Sequence, residues 1–313
     1  MLVEEVANSL YAGHQPRKSN SVPVGQRRSH DTGSKVSESL TVTIHIDDQS
    51  SWLVQSVSGA WRRIVMNLFG NALKFTKSGF IQITLSVSEA GEDPDHVIAH
   101  LAVADSGHGI SPDFLENQIF TPFSQEDIFT EGAGLGLSIV HQLVTSLSGR
   151  VEIKSDVGIG TQVDVFVPIR LSDSDSSTMP VSIDSIPCKV CLVGFEGCHN
   201  IRNARNGIFN ADAKRKLALR RSLSSIVLTQ PGWTVSFSDS LRDGTDDIAV
   251  LEVSRLKKAA TNGPVHTGYS HLLVLGSEPS FDCTDLVKDA EIVYVTQPYV
   301  FKSTTIIQQA NII

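Results

Sequence analysis

No stretch of the sequence is apolar for long enough to cross a bilayer as a helix, and the first residues lack a leader pattern. Neither a membrane-spanning nor a secreted protein is expected, and the expected location is the cytoplasm. Cysteine is scarce, with four residues among 313, which suits a reducing compartment and leaves little for a disulfide framework. Basic residues are in deficit as well. Lys and Arg number 26 against 34 Asp and Glu, so the net charge is −8 and gives no footprint for nucleic acid. What is present is an ordinary composition, 41% hydrophobic and 19% charged, in a chain long enough for two domains with a core each.

Cys188, Cys191 and Cys198, with His199 beside the last, invite a zinc reading. CKVCLVGF is, however, an apolar run with strand character, in which residues three apart point to opposite faces. No second ligand pair follows, so core packing is the expected role.

Residues 1–13 place Leu2, Val3, Val6 and Leu10 at helical spacing, whereas residues 14–39 are polar, aperiodic and read as a flexible insert. LTVTIHI, residues 40–46, alternates and is β-branched, as a strand requires. A helix follows that carries NLFGNALKFT, residues 67–76. Its spacing sets Asn67, Asn71 and Lys74 on one stripe and Ile64, Leu68, Ala72 and Phe75 on an opposite, apolar one facing a sheet. Two carboxamides and an ammonium side by side suit a divalent cation holding a polyphosphate; the same stripe also suits a plain solvated face.

Strands are predicted over Phe80–Val87 and Val97–Ala104, joined by a loop through Gly91 and Pro94. The second runs into DSGHGI, residues 105–110, which reads either as a simple turn or as a base-reading site. On the latter reading Asp105 accepts from an exocyclic amine such as that of adenine, while Gly107 and Gly109 let the backbone pass a flat base. Residues 114–131 form a long connection of little regular pattern, and Phe114, Phe120, Phe123 and Phe129 within it argue for a lid with apolar anchors. EGAGLGLSIVHQLV, residues 131–144, leads Gly132, Gly134 and Gly136 straight into a helix, whose free N–H groups suit an anion. No strand precedes these glycines, so a dinucleotide fingerprint is rejected. His141 lies inside that helix and is expected to be structural. Strands Arg150–Ser155 and Thr161–Pro168 close the segment, and Thr161 can place a hydroxyl near the base edge or serve as plain strand-former.

In this order NLFGNALKFT, DSGHGI, FTPFSQ, GAGLGL and GIGTQVDVFVP resemble the N box, glycine boxes and F box of the histidine kinase catalytic domain, of the superfamily shared with gyrase. Their wording is most like that of hybrid kinases of fungi. The resemblance implies an α/β sandwich with a mixed sheet on one face and helices on the other. It also implies ATP and Mg²⁺ as ligands, with Asn71 on the metal, Asn67 supporting the triphosphate and Lys74 neutralising a phosphate. Asp105 would read adenine, with Gly107, Gly109 and Thr161 around the base. Gly132, Gly134 and Gly136, with Leu135 and Leu137 between and after them, would hinge the lid and line the site. Phe120 and Phe123 would pin the lid. In hydrolytic relatives a Glu stands four residues before the metal-binding Asn as general base. Asn67 stands there in this chain, so phosphoryl transfer to a histidine is expected rather than hydrolysis.

The family's acceptor motif, His followed by acidic, basic and Pro residues, is missing; His30-Asp31 begins it but continues Thr32-Gly33. Residues 1–13 then read as the tail of a dimerisation hairpin, and the chain as a fragment whose partners are an acceptor domain and a downstream receiver or phosphotransfer protein. The expected organisation is a helix end and insert over 1–39, an ATP-binding domain over 40–170, a Ser/Asp-rich linker over 171–187 and a second α/β domain over 188–313. That last part alternates strand and helix and resembles a flavodoxin-like response-regulator receiver with its chemistry eroded. Where a receiver needs carboxylates and a Lys, only Glu196, Glu252 and Gln297 stand. The basic run Lys214, Arg215, Lys216, Arg220 and Arg221 is expected to be a solvated helix face. The alternative to a kinase is a nucleotide-sensing interaction module without phosphotransfer.

Overall fold

The computed structural model describes residues 2–14, 40–47, 54–89, 96–126, 132–171, 187–196, 211–242, 244, 246–276, 287 and 289–301. Residues 15–39 of the insert, among them His30, 172–186 of the linker, Phe129, Cys198 and His199 lie outside them, while His14 ends a helix and Leu171 a strand.

β-branched alternation yields β1 (Leu40–Ile46), which pairs in parallel with β3 (Gly79–Glu89). Next to β3 lies β4 (His96–Asp105), antiparallel, and beyond it β6 (Gly160–Leu171). β6 carries both β5 (Arg150–Asp156) and the short β2 (Val54–Gln55). The sheet is therefore mixed, as expected. Alternate residues of its strands (Ile81, Ile83, Leu101, Val103, Val163 and Val165) point to one face and are buried there.

That face is covered by α2 (Ser58–Phe75) and α4 (Gly136–Ser146), with α1 (Leu2–His14) packed on α2 through Val3, Val6 and Ala7. Ile64, Leu68 and Ala72 are buried as their spacing predicts. Phe75 departs from the expected stripe: it is half-buried at the helix end, its ring edge-on to His108 at 5.1 Å. The buried arc of α2 is wider than the stripe and includes Val65, Phe69 and Leu73, because the helix is flanked by α1 as well as by the sheet. The connection after β4 is also less irregular than expected. It opens with α3 (Pro112–Asn117), started by the Ser111 hydroxyl accepting from Phe114 N and by Pro112 in the first turn.

The second sheet contains β7 (Lys189–Val193), β8 (Thr234–Ser238), β9 (Ile248–Glu252), β10 (His271–Leu275) and β11 (Glu291–Val295). All are parallel, in the order β11-β10-β9-β7-β8. Numbered within this half, that is the flavodoxin-like 2-1-3-4-5 order. Cys188 and Cys191 are buried in separate clusters on opposite sides of the sheet. Burial, then the charge of Asp247, pushes the Cys188 thiol up to about 11, so it stays a neutral core group.

One helix belongs to both halves. α5 (Ala211–Thr229) packs Leu219, Leu223 and Ile226 into the second core, and its other side lies on β1 and β3. Ser222 Oγ there accepts from Gln82 Nε2 at 3.1 Å. After β11, β12 (Tyr299–Phe301) leaves the second sheet and pairs in parallel with β1. Gln297 just before it accepts from Val42 N at 2.9 Å and from the Tyr11 hydroxyl at 3.1 Å.

The basic run on α5 is a solvated face only in part, with Arg221 exposed. Arg215 is buried; its guanidinium donates to Glu252 at the end of β9, to Asp212 at 2.6 Å, and faces Thr41 Oγ1 of β1 at 3.5 Å. Burial opposes its charge, but the Glu252 and Asp212 carboxylates outweigh that and raise its pKa. Arg220 donates to the carbonyls of Phe195 and Glu196 and lies 3.8 Å from the Phe237 ring centroid. The pattern of charges on α5 is helical, but sequence alone gave no sign that two sheets enclose it.

Arg215→Met leaves Glu252 at this joint without its cation, while Asp212 keeps Lys216, and is expected to lower unfolding free energy by about 3 kcal/mol. Urea titration checks this, and adding Glu252→Gln is expected to recover part of the loss.

Candidate nucleotide-binding site

Strand register places Asp105. Asp105, the last residue of β4, stands opposite Ile81 on one side and Thr161 on the other, on the face that α2 covers. Its carboxylate accepts from Gly107 N at 2.7 Å. Burial raises its pKa, and the Gly107 N–H, the Thr76 hydroxyl, the Thr161 backbone and His108 each pull it back down. A carboxylate held in a partly dry site, with its strongest donor spent on one side, is suited to accept from an amine on the other.

Gly107 and Gly109 both lie where protein backbone packs closely. A Cβ on Gly107 would lie 2.5 Å from Phe75 O, and one on Gly109, whose φ is +74°, would lie 2.1 Å from Asp156 O. These glycines let protein backbone close on itself, so that the end of α2 and the β5–β6 turn wall the site. That turn is fastened by Gly158 N donating to His108 O at 2.7 Å. Thr161 Oγ1 is 2.8 Å from Ser155 Oγ, which also accepts from Ile110 N at 2.8 Å. Thr161 is thus tied into the wall.

The second cluster of candidate residues is built from α2 and α4. Asn67 Nδ2 donates back to Arg63 O at 2.7 Å, leaving its oxygen to point across at α4. A Cβ on Gly136 would lie 3.2 Å from Asn67 Oδ1 and 3.6 Å from Asn71 Oδ1, and one on Gly132 would lie 3.1 Å from Lys74 Nζ. Gly136 opens α4, and Leu135 before it supplies no side-chain cap. The uncapped first turn of α4 therefore lies beside two carboxamides, with the Lys74 ammonium beside Gly132 in the segment that leads into it. Oxygen donors beside N–H groups and an ammonium fit a hard divalent cation with a polyphosphate.

Phe120 is half-buried with its ring 4.6 Å from that of His141 on α4, and Phe123 N donates to Gly134 O at 3.0 Å. Phe123 does not anchor the segment by burial. Its side chain is 75% exposed and its φ of +64° is a left-handed conformation costing on the order of 1–3 kcal/mol. Leu137 packs against the first core.

Residues 56–171 match the family described as histidine kinase-, DNA gyrase B- and HSP90-like ATPases. This segment has the fold of a histidine kinase-type ATPase domain. The chain spans only a small part of the length of the curated relatives it matches. The chain is 31% identical over 138 residues to the sensor protein EvgS of Escherichia coli K12, a match covering 44% of this chain and 11% of EvgS. It is 37% identical over 136 residues to the autoinducer 2 sensor kinase/phosphatase LuxQ of Vibrio cholerae, covering 42% of this chain and 15% of LuxQ. In fold, the crystal structure of full-length ShkA in complex with AMPPNP superposes at a TM-score of 0.61 and 20% identity, over 99% of this chain and 55% of ShkA.

Thr76, Ser155 and Lys214 are the residues of this site that sequence reading passed over. Thr76 directly follows Phe75 and could have been read from its place in the NLFGNALKFT stretch. Ser155 follows from pairing β5 with β6, which sets it opposite Thr161. Lys214 comes from α5, a remote element, and donates to Ile159 O at 2.9 Å.

Asp105→Asn separates folding from binding. With its pKa raised in the folded state, the carboxyl holds its proton more tightly folded than unfolded. Its contribution therefore favours folding at low pH and is lost as pH rises from the ordinary aspartate range through the folded value. The substitution is expected to raise the thermal midpoint at pH 7, with the gain shrinking as pH falls into that range, and to weaken adenine-nucleotide binding on the order of tenfold or more. Melting curves against pH and a nucleotide titration check the two halves of the prediction.

Proposed function

We propose that this chain is the ATP-binding catalytic part of a hybrid sensor histidine kinase, of the kind found in fungi by the wording of its motifs, acting in a cytoplasmic phosphorelay. It would transfer the γ-phosphoryl group of ATP to a histidine on a separate acceptor domain, from which a receiver or phosphotransfer protein takes it. The observation that carries this reading is Asn67 and Asn71 beside the uncapped start of α4 and Lys74 beside Gly132, with Asp105 at the end of the same helix α2.

In this reading Asp105 accepts from the adenine amine, and the Gly107–Gly109 backbone and the wall holding Thr161 close around the base. The first N–H groups of α4, from Gly136 and Leu137, and the ammonium of Lys74 hold the phosphates. Asn71, with Asn67 supporting, would hold Mg²⁺, which neutralises phosphate charge when bound. Gly132 and Gly134 give the approach of the connecting segment, and Phe120 against His141 ties that segment to α4. Asn67 cannot take a proton from water at neutral pH, so the groove holds ATP for an incoming imidazole rather than spending it on hydrolysis. The protein's contribution is positioning and electrostatics, with no covalent step on its own residues.

A second reading, a nucleotide-sensing module without transfer, is favoured by the C-terminal half. Glu252, at the end of its third strand, is engaged by Arg215, and Gln297 stands where a receiver's Lys would be. That half is thereby proposed as a docking element with no aspartyl phosphorylation of its own.

Incubating the purified chain with γ-labelled ATP, magnesium and a separately produced acceptor hairpin distinguishes the readings. Label on the hairpin histidine, reduced on the order of a hundredfold or more by Asn71→Ala, is the expected result. ATP binding without label on any acceptor supplied would favour the sensing module.

A further inference from the structure

The wall at the base end of the groove is not complete within the ATPase segment. The β5–β6 turn runs from Asp156 to Gly160, and two of its carbonyls, on Gly158 and Ile159, are taken by Lys214 Nζ at 3.3 and 2.9 Å. Lys214 is on the first turns of α5, more than fifty residues further along the chain. Its neighbour Arg215 is locked by Glu252 and Asp212, and the Ala211 side chain reaches the Gly79–Ser106 contact at the start of β3. The ammonium therefore sits on a rigid support. Its other charged neighbour is Asp105, whose charge raises the Lys214 pKa against the larger lowering by burial.

We propose that Lys214 is a positioning residue for the nucleotide: it fixes the 156–160 turn against His108 and Gly109, so that the C-terminal half completes the adenine end of the groove. This rests on the reading of the groove as an ATP site. Lys214 touches no reacting atom. It acts through the turn, whose Gly158 N–H bonds His108 O and whose Asp156 carbonyl closes on Gly109. Without the ammonium, two carbonyls lose a charge-assisted donor and the wall opposite Asp105 loosens. Base recognition weakens while the phosphate end, built from α2 and α4, is untouched.

The test uses the full chain with Lys214→Met and Lys214→Arg, titrated with a fluorescent ATP analogue, with unlabelled ATP and GTP as competitors. Amide hydrogen exchange is followed at Gly158 and Ile159. Lys214→Met is expected to weaken ATP on the order of tenfold, narrow the preference for ATP over GTP and speed exchange in the turn. Lys214→Arg is expected to restore most of each. Unchanged ATP affinity and base preference in Lys214→Met, with a wild-type chain that binds ATP, would overturn the proposal. So would equal weakening of ATP and GTP, which points to a general loss of structure. A wild-type chain that binds no nucleotide would instead overturn the ATP-site reading beneath it.

Discussion

The pocket depends on one register. β4 ends with Asp105 between Ile81 and Thr161, and that alignment carries the carboxylate to the face covered by α2. A slip of one residue in either pairing would turn it to the opposite face, the side of Ala104 and Gln162, away from the end of α2. The register is held by the apolar alternation along β3, β4 and β6, whose inward residues fill the first core. Core packing and site geometry are thus the same constraint, read at the middle and at the end of the strands.

From that point the rest of the groove follows from helix ends. α2 stops beside Asp105, so that Phe75, Thr76 and the Gly107 backbone meet there. α4 starts uncapped against the polar stripe of α2, so its first turn lies beside the carboxamide oxygens of Asn67 and Asn71. Charge is then distributed along the groove in the order a nucleotide would need: carboxylate at one end, N–H groups and an ammonium at the other. The C-terminal half adds to this through α5, whose Arg215 closes the carboxylate of Glu252 and whose Lys214 braces the turn at the base end.

Much of this was legible in the sequence because it is local. The strand LTVTIHI occupies the residues its alternation predicts, and the stripe Asn67, Asn71, Lys74 is a matter of helical spacing alone. Motif order extended the reading to Asp105 and to the glycines before α4. What escaped depends on contacts between distant segments. Phe75 was grouped with the apolar stripe because periodicity does not show where a helix ends. Phe123 was taken for an anchor because aromatic side chains usually find cover, whereas here its backbone carries the contact to Gly134. The basic residues of α5 looked solvated because a helix enclosed by two sheets carries polar groups on the side facing β1 and β3, and no single-helix pattern marks that burial. The pairing of β12 with β1 is beyond any local signal.

The central claim is that this groove takes one adenine nucleotide with magnesium. Calorimetric titration of the purified chain with ATP, with and without magnesium, measures it most directly. One-to-one binding that strengthens when magnesium is added is the predicted result. Absence of heat with ATP under both conditions, in a chain whose circular dichroism shows it folded, would contradict the account.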